Sequence, residues 1–188
     1  RSRKLASALE KDGVKKGDVI ATLALNTYRH LEMYYGISGM GAITHTLNFR
    51  LHPEQAVYII NHAEDKIIFV ELPFVPILEA LQENLKTVEK YVVLCEVDEM
   101  PETTLKNAIS YEEYIQDGDE NYSWPTLEDD AACALCYTSG TTGNPKGVLY
   151  SHKSNVIHAQ AALTAMTIKP DDTILMVVPL FHVLAWGI

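Results

Sequence analysis

Apolar positions along this chain switch repeatedly between a helical period and short strand-like runs. Leu5 and Leu9 close an amphipathic helix ahead of Gly13. Residues 18–25 contain Val19-Ile20-Ala21-Thr22-Leu23-Ala24-Leu25, a strand-length run bounded by polar residues. Asn26 or Thr27 then caps a helix with Leu31, Tyr34, Tyr35 and Ile37 at helical spacing. Gly36, Gly39 and Gly41 in that stretch predict close packing against a neighbour, or an early end. His52-Pro53-Glu54 opens the next helix, with proline near its first turn and Val57, Ile59 and Ile60 on the apolar side. A buried strand over 66–70, a helix over 76–85 and a strand over 91–95 follow.

From 96 to 130 the pattern weakens and acidic residues dominate, among them Asp98, Glu99, Glu102, Asp117, Asp119 and Glu120. This reads as a solvated surface excursion with one short helix near 111–115. The ladder resumes with a strand over 131–137, a glycine-rich loop and a second strand over 147–150. Ser151 or Ser154 caps a helix over 155–166, and 173–178 reads as a strand ending at Pro179. No internal repeat or low-complexity linker occurs. The alternation predicts an α/β fold with mostly parallel sheets flanked by helices.

Composition narrows the picture modestly. The chain has 188 residues, 47% hydrophobic and 21% charged, which is ordinary for a soluble globular protein. No apolar run reaches the roughly 18 to 20 residues of a membrane span. The basic start Arg1-Ser2-Arg3-Lys4 lacks the apolar core of a secretory signal. A formal net charge of -10 argues against general nucleic-acid binding, which draws on Lys and Arg. Cys133-Ala134-Leu135-Cys136 fits a C-x-x-C spacing, so a metal or redox role must be weighed. No second pair completes a zinc site, and strand positions three apart point to opposite faces. Two small buried thiols in a reducing cytoplasm is the favoured reading. His30, His45, His52, His62, His152 and His158 form no metal-ligand grouping, and His152 is a candidate support for the glycine-rich loop.

The chemistry concentrates in Tyr137-Thr138-Ser139-Gly140-Thr141-Thr142-Gly143-Asn144-Pro145-Lys146-Gly147-Val148. Glycines let backbone amides approach a ligand, hydroxyls donate to phosphate oxygens or ligate magnesium, and lysine adds a mobile positive charge. The run reads as a phosphate cradle, against the alternative of a plain surface hairpin. A Walker A loop needs lysine directly after its last glycine and a hydroxyl directly after the lysine. Here Pro145 precedes Lys146 and Gly147 follows it, so that pattern fails. G-x-G-x-x-G fails too, which removes the dinucleotide and kinase readings.

The remaining string, T-S-G-T-T-G-x-P-K-G, resembles the phosphate-binding signature of the adenylate-forming superfamily: acyl-CoA synthetases, firefly luciferases and peptide-synthetase adenylation domains. Gly41-Ala42-Ile43-Thr44-His45-Thr46-Leu47-Asn48-Phe49-Arg50-Leu51 resembles the acyl-CoA synthetase segment G-A-x-x-x-x-x-N-x-R-L. Val148-Leu149-Tyr150-Ser151-His152-Lys153 resembles V-x-x-S-H-R/K, and Pro179-Leu180-Phe181-His182-Val183-Leu184-Ala185-Trp186 resembles the P-M-F-H-x-x-x-W of medium- and long-chain fatty acyl-CoA synthetases.

This resemblance implies ATP-dependent activation of a hydrophobic carboxylic acid, such as a fatty acid, through an acyl-adenylate to a coenzyme A thioester. It implies that Ser139, Thr141, Thr142 and Lys146 bind phosphates, with Gly140 and Gly143 permitting backbone approach and Thr138 contacting Mg2+. His182 would stand on the carboxylate side, Val183 beside the nucleotide and Trp186 along the acyl tunnel. ATP, Mg2+ and coenzyme A are the expected cofactor and co-substrates, with small molecules the only partners and oligomeric state open. A luciferase-like or carrier-protein-loading enzyme, and an inert structural fragment, remain alternatives. The resemblance also implies that 1–188 is part of a large N-terminal AMP-binding domain. The extreme N-terminus and the C-terminal domain would lie outside it, leaving the segment alone inactive.

Overall fold

The strongest apolar runs become the middle of one sheet. The computed structural model describes residues 1–138 and 144–182. Its strands are β1 (Val19–Leu23), β2 (Ile43–Thr46), β3 (Ile67–Val70), β4 (Lys90–Val93), β5 (Ala108–Ser110), β6 (Ala132–Thr138) and β7 (Lys146–Ser151). They form a seven-stranded sheet in the order β5-β4-β3-β1-β2-β6-β7. Every ladder is parallel except that between β6 and β7. The helices are α1 (Ser2–Lys11), α2 (Tyr28–Gly39), α3 (Pro53–Ala63), α4 (Val75–Leu81), α5 (Tyr111–Gln116) and α6 (His152–Met166).

Period-2 alternation sorts the strand side chains onto two covered faces. Ile20, Ile67, Phe69 and Val92 pack with Leu5, Leu9, Met33, Ile37, Tyr111 and Ile115, so α1, α2 and α5 cover one face. Ala21, Ile68, Val70, Tyr91 and Val93 pack with Ile59, Ile60, Leu78 and Leu81, so α3 and α4 cover the other. The chain runs from β1 to β2 on one side, then returns to β3 on the other side of β1. α2 and α3 therefore leave adjacent strands toward opposite faces, and a crevice opens at the strands' carboxyl ends.

Local chemistry fixes the boundaries. Thr27, rather than Asn26, caps α2 by accepting from the His30 amide. Tyr34 and Ile37 are buried as their spacing predicts, but Leu31 and Tyr35 are exposed and Met33 takes the core position. The glycines of α2 allow close packing: a Cβ on Gly36 would come 2.8 Å from Leu5, and one on Gly39 2.7 Å from Trp124. Ser151 and Ser154 act together, each hydroxyl accepting from the other's amide, so α6 starts three residues before the predicted 155.

Three expectations need correction. Residues 173–178 form no strand: Asn26 donates to the carbonyls of Met176 and Val178, groups a sheet ladder would use, and Leu175 and Val177 stay exposed. Within 96–130 the chain adds β5 to the sheet edge, and Glu112 on α5 pairs with both Arg1 and Arg29. Alternation along β6 is broken by a bulge at Cys133, which lets Cys133 and Cys136 pack in one cluster with Tyr34. The three cysteines form no disulfide.

His30 gives the fold a built-in acid sensitivity. Its Nδ1 donates to the Leu25 carbonyl at 2.9 Å and its Nε2 accepts from Thr22 at 3.2 Å, an arrangement for neutral imidazole. Burial pushes its pKa down from 6.5 to about 4, opposed by the Leu25 bond. Between those values the unfolded chain binds a proton that the folded chain refuses. Stability is therefore expected to fall by roughly 3 kcal/mol as pH drops through that window, and to be unaffected by this group above it. Urea unfolding at stepped pH values, compared with His30→Gln, checks this; equal slopes in both proteins would refute it.

Candidate functional site

The glycine-rich run connects an antiparallel hairpin. Register pairs Thr138, the last residue of β6, with Lys146, the first of β7, and the Thr138 hydroxyl donates to the Lys146 carbonyl at 3.4 Å. Both side chains are exposed, whereas Pro145 beside Lys146 is buried. Ser139, Gly140, Thr141, Thr142 and Gly143 lie outside the described residues, as do Val183 and Trp186.

A cavity of about 290 Å³ opens at the carboxyl ends of β2 and β6, walled by Thr46, Tyr137, Thr138, Pro145, Phe181 and His182 among others. Thr138 and His182, far apart in sequence, thus meet in one cavity. Lys146 does not line it and stands on the hairpin beside it. The segment bearing His182 is held by side chains that hold backbone. Asn26 accepts from the Leu180 amide at 2.8 Å, Tyr34 donates to the Leu180 carbonyl at 2.6 Å, and Thr46 donates to the Phe181 carbonyl at 2.9 Å. Phe181 packs edge-on against Phe49 with ring centroids 5.0 Å apart.

Against Tyr137, which lines the cavity, packs His45, and His45 and Asp65 are both fully buried with Nδ1 and Oδ2 2.8 Å apart. Burial pushes the Asp65 carboxyl up, and His45 only partly offsets that. The Tyr137 hydroxyl lies 2.6 Å from Nδ1 of His62. Burial, with the nearby Asp65 and Tyr58, pushes the phenol up to about 12. His152 opens α6, its Nε2 is buried with no hydrogen-bond partner among the described residues, and burial lowers its pKa. It does not line the cavity.

Among the described residues no three His, Cys, Asp or Glu side chains gather as a metal site. Thr138 is the metal candidate at the cavity: the residue is exposed, and its hydroxyl makes one long hydrogen bond among the described residues. Sequence reasoning assigned no site role to Asn26, Tyr34, Thr46 or Tyr137. The three clamp bonds bridge separations of 154, 146 and 135 residues, which no local pattern reports.

The model of the AMP-binding enzyme family matches residues 1–188. This chain belongs to the AMP-binding enzyme family. Among its relatives, a medium-chain-fatty-acid–CoA ligase of Ectopseudomonas oleovorans is 48% identical over 100% of the chain and 35% of the relative. A 3-methylmercaptopropionyl-CoA ligase of Ruegeria pomeroyi is 47% identical over 99% of the chain and 35% of the relative. A solved long-chain-fatty-acid-CoA ligase from Archaeoglobus fulgidus superposes with a TM-score of 0.86 at 25% identity, over 99% of this chain and 35% of that one. This AMP-binding family member therefore spans about a third of the length of the curated relatives it matches. Among the described residues no helix is long and apolar enough to cross a membrane.

Proposed function

We propose that this chain supplies the phosphate-binding part of an ATP-dependent acyl-CoA ligase acting on a hydrophobic carboxylic acid, with a fatty acid as the leading candidate. The observation that carries the reading is the shared cavity, where the hairpin joining Thr138 to Lys146 meets Phe181-His182. In the first half-reaction a carboxylate oxygen attacks the α-phosphate of ATP and pyrophosphate leaves. In the second, the coenzyme A thiol displaces AMP from the acyl-adenylate. Negative charge grows on the departing pyrophosphate, and preorganised donors aimed at it are the main catalytic device.

In this reading Ser139, Thr141 and Thr142 donate to phosphate oxygens, Gly140 and Gly143 admit the backbone, and Lys146 neutralises charge. His182, held at the cavity by the clamp on Leu180 and Phe181, stands on the carboxylate side. Val183 lies by the nucleotide and Trp186 along the acyl tunnel. The Thr138 hydroxyl is an oxygen ligand of the kind Mg2+ takes, and the ion would supply further charge neutralisation on the phosphates. The two curated relatives described above, 48% and 47% identical to this chain, are named for different acids. The carboxylate here is accordingly assigned only as hydrophobic.

We also read residues 1–188 as a partial N-terminal AMP-binding domain whose active site is completed elsewhere in a longer enzyme. We assign the enzyme to a reducing, cytoplasmic setting, where free cysteines such as the buried Cys95 and Cys133 stay as thiols. The test is acyl-CoA formation by the intact enzyme and by the 188-residue chain, with ATP, Mg2+, coenzyme A and acids of graded length. Thioester from the intact enzyme alone is expected. Adenylate without thioester would instead favour another adenylate-forming enzyme, and robust thioester synthesis by the short chain would overturn the partial-domain reading.

A further inference from the structure

Four side chains close a ring between the end of α3 and the start of the glycine-rich loop. His45, on β2, meets Asp65 through a 2.8 Å hydrogen bond, and both are fully buried. The His45 ring lies 5.1 Å, centroid to centroid, from the ring of Tyr137. The Tyr137 hydroxyl in turn meets Nδ1 of His62 at 2.6 Å. His62 belongs to the last turn of α3, and Asp65 follows directly after its left-handed C-cap, Glu64. The path therefore leaves α3 at Asp65 and returns to it at His62. Its far point is Tyr137, the residue immediately before Thr138 at the end of β6.

Core packing does not account for the pair. Taking two ionisable groups out of water is costly, and apolar residues of equal volume commonly serve a core as well or better. The strand neighbours of His45 are Ala21 on β1 and Leu135 on β6, both apolar and buried. Among the described residues His45 Nε2 and Asp65 Oδ1 are buried without a hydrogen-bond partner, which raises the cost further. What the pair does provide is direction: a hydrogen bond that fixes one imidazole orientation, against which one aromatic ring can rest.

We propose that His45 and Asp65, together with His62, are positioning residues that hold Tyr137 and thereby set the strand-to-loop junction at Thr138 for phosphate binding. This rests on the reading of 138–146 as the ATP phosphate site. Tyr137 and Thr138 line the cavity, while His45, Asp65 and His62 do not. The three act through Tyr137. A junction fixed in advance presents Thr138 to the triphosphate in one place, and a misplacement of about 1 Å can cost up to a hundred-fold in rate.

The experiment uses the intact ligase and the variants Tyr137→Phe, His62→Ala, their double, and Asp65→Asn. Tyr137→Phe keeps the ring and removes only the bond to His62, so it remains informative if Asp65→Asn fails to fold. Each single variant is expected to lower kcat of ATP–pyrophosphate exchange about ten-fold, with KM for the acid unchanged. The double variant should lose no more than either single, because both break one link. Hydrogen–deuterium exchange should show that MgATP protects peptides covering 137–147 in the parent, and that Tyr137→Phe removes this protection. Unchanged kcat, a change confined to KM for the acid, additive losses, or parent-like protection in Tyr137→Phe would each overturn the proposal. If the parent makes no adenylate but MgATP still protects the loop and Tyr137→Phe abolishes that, the ligase reading fails and the positioning role stands. If MgATP protects nothing in the parent, the positioning role falls with the phosphate site.

Discussion

Replacing Tyr34 by alanine is expected to lower the unfolding free energy by about 3–5 kcal/mol, the usual loss for a large buried aromatic. Tyr34 is fully buried, stacks on His30 with ring centroids 4.9 Å apart, and packs with Cys133, Ala134 and Leu180. Its hydroxyl, pushed well above the ordinary tyrosine pKa by burial, stays protonated and donates to the Leu180 carbonyl at 2.6 Å. Tyr34→Phe separates the two roles. It keeps the ring, strands the carbonyl, and should cost only about 1–3 kcal/mol. Urea denaturation of the three proteins measures both steps. Equal losses for Ala and Phe would mean that the hydrogen bond, and not the packing, carries the effect. A loss in Tyr34→Phe below the resolution of the measurement would mean that the clamp on Leu180 contributes nothing.

Lys146→Ala in the intact enzyme is expected to slow ATP–pyrophosphate exchange about ten- to a hundred-fold, with the fold intact. Hydrogen bonds to charged groups contribute roughly 1.5–3 kcal/mol, and each 1.36 kcal/mol is about ten-fold in rate. Stability should be spared because Lys146 is exposed at the start of β7, opposite Thr138. Lys146→Arg keeps the charge and should recover part of the rate. An exchange rate equal to the parent's in Lys146→Ala would remove the lysine from the phosphate site. A matching drop in thermal stability would reassign it to the hairpin.

Much of the fold could be read from the chain because β1, β3 and β4 are buried on both faces and so appear as apolar runs. β2 escaped that test. Its Thr44, His45 and Thr46 are buried polar residues, each with a hydrogen bond to a partner elsewhere: the Ser38 hydroxyl, Asp65 (through Nδ1 alone) and the Phe181 carbonyl. Hydropathy is silent about such a strand. β5 has three residues, too few for a period. Residues 173–178 misled in the other direction, because an apolar run reports composition and not the partner that its backbone finds. The site divides along the same line. Thr138, Lys146 and His182 stand in recognisable motifs, whereas Asn26, Tyr34 and Thr46 work through tertiary contacts that bring their targets from more than a hundred residues away.

The antiparallel closure of the loop has an electrostatic consequence. Where a phosphate loop leads from a strand straight into a helix, the helix N-terminus presents unpaired amides and the positive end of a macrodipole to the anion. Here β7 intervenes, six residues long, before α6 begins at its cap Ser151. At about 3.3 Å per residue that strand carries the helix cap ~17 Å along the chain from Lys146, beyond the reach of a field that fades within one turn. If the hairpin binds a triphosphate as proposed, Lys146 and an accompanying cation take over the part that a helix N-terminus would otherwise play. The binding should therefore weaken with added salt more steeply than at a helix-capped loop.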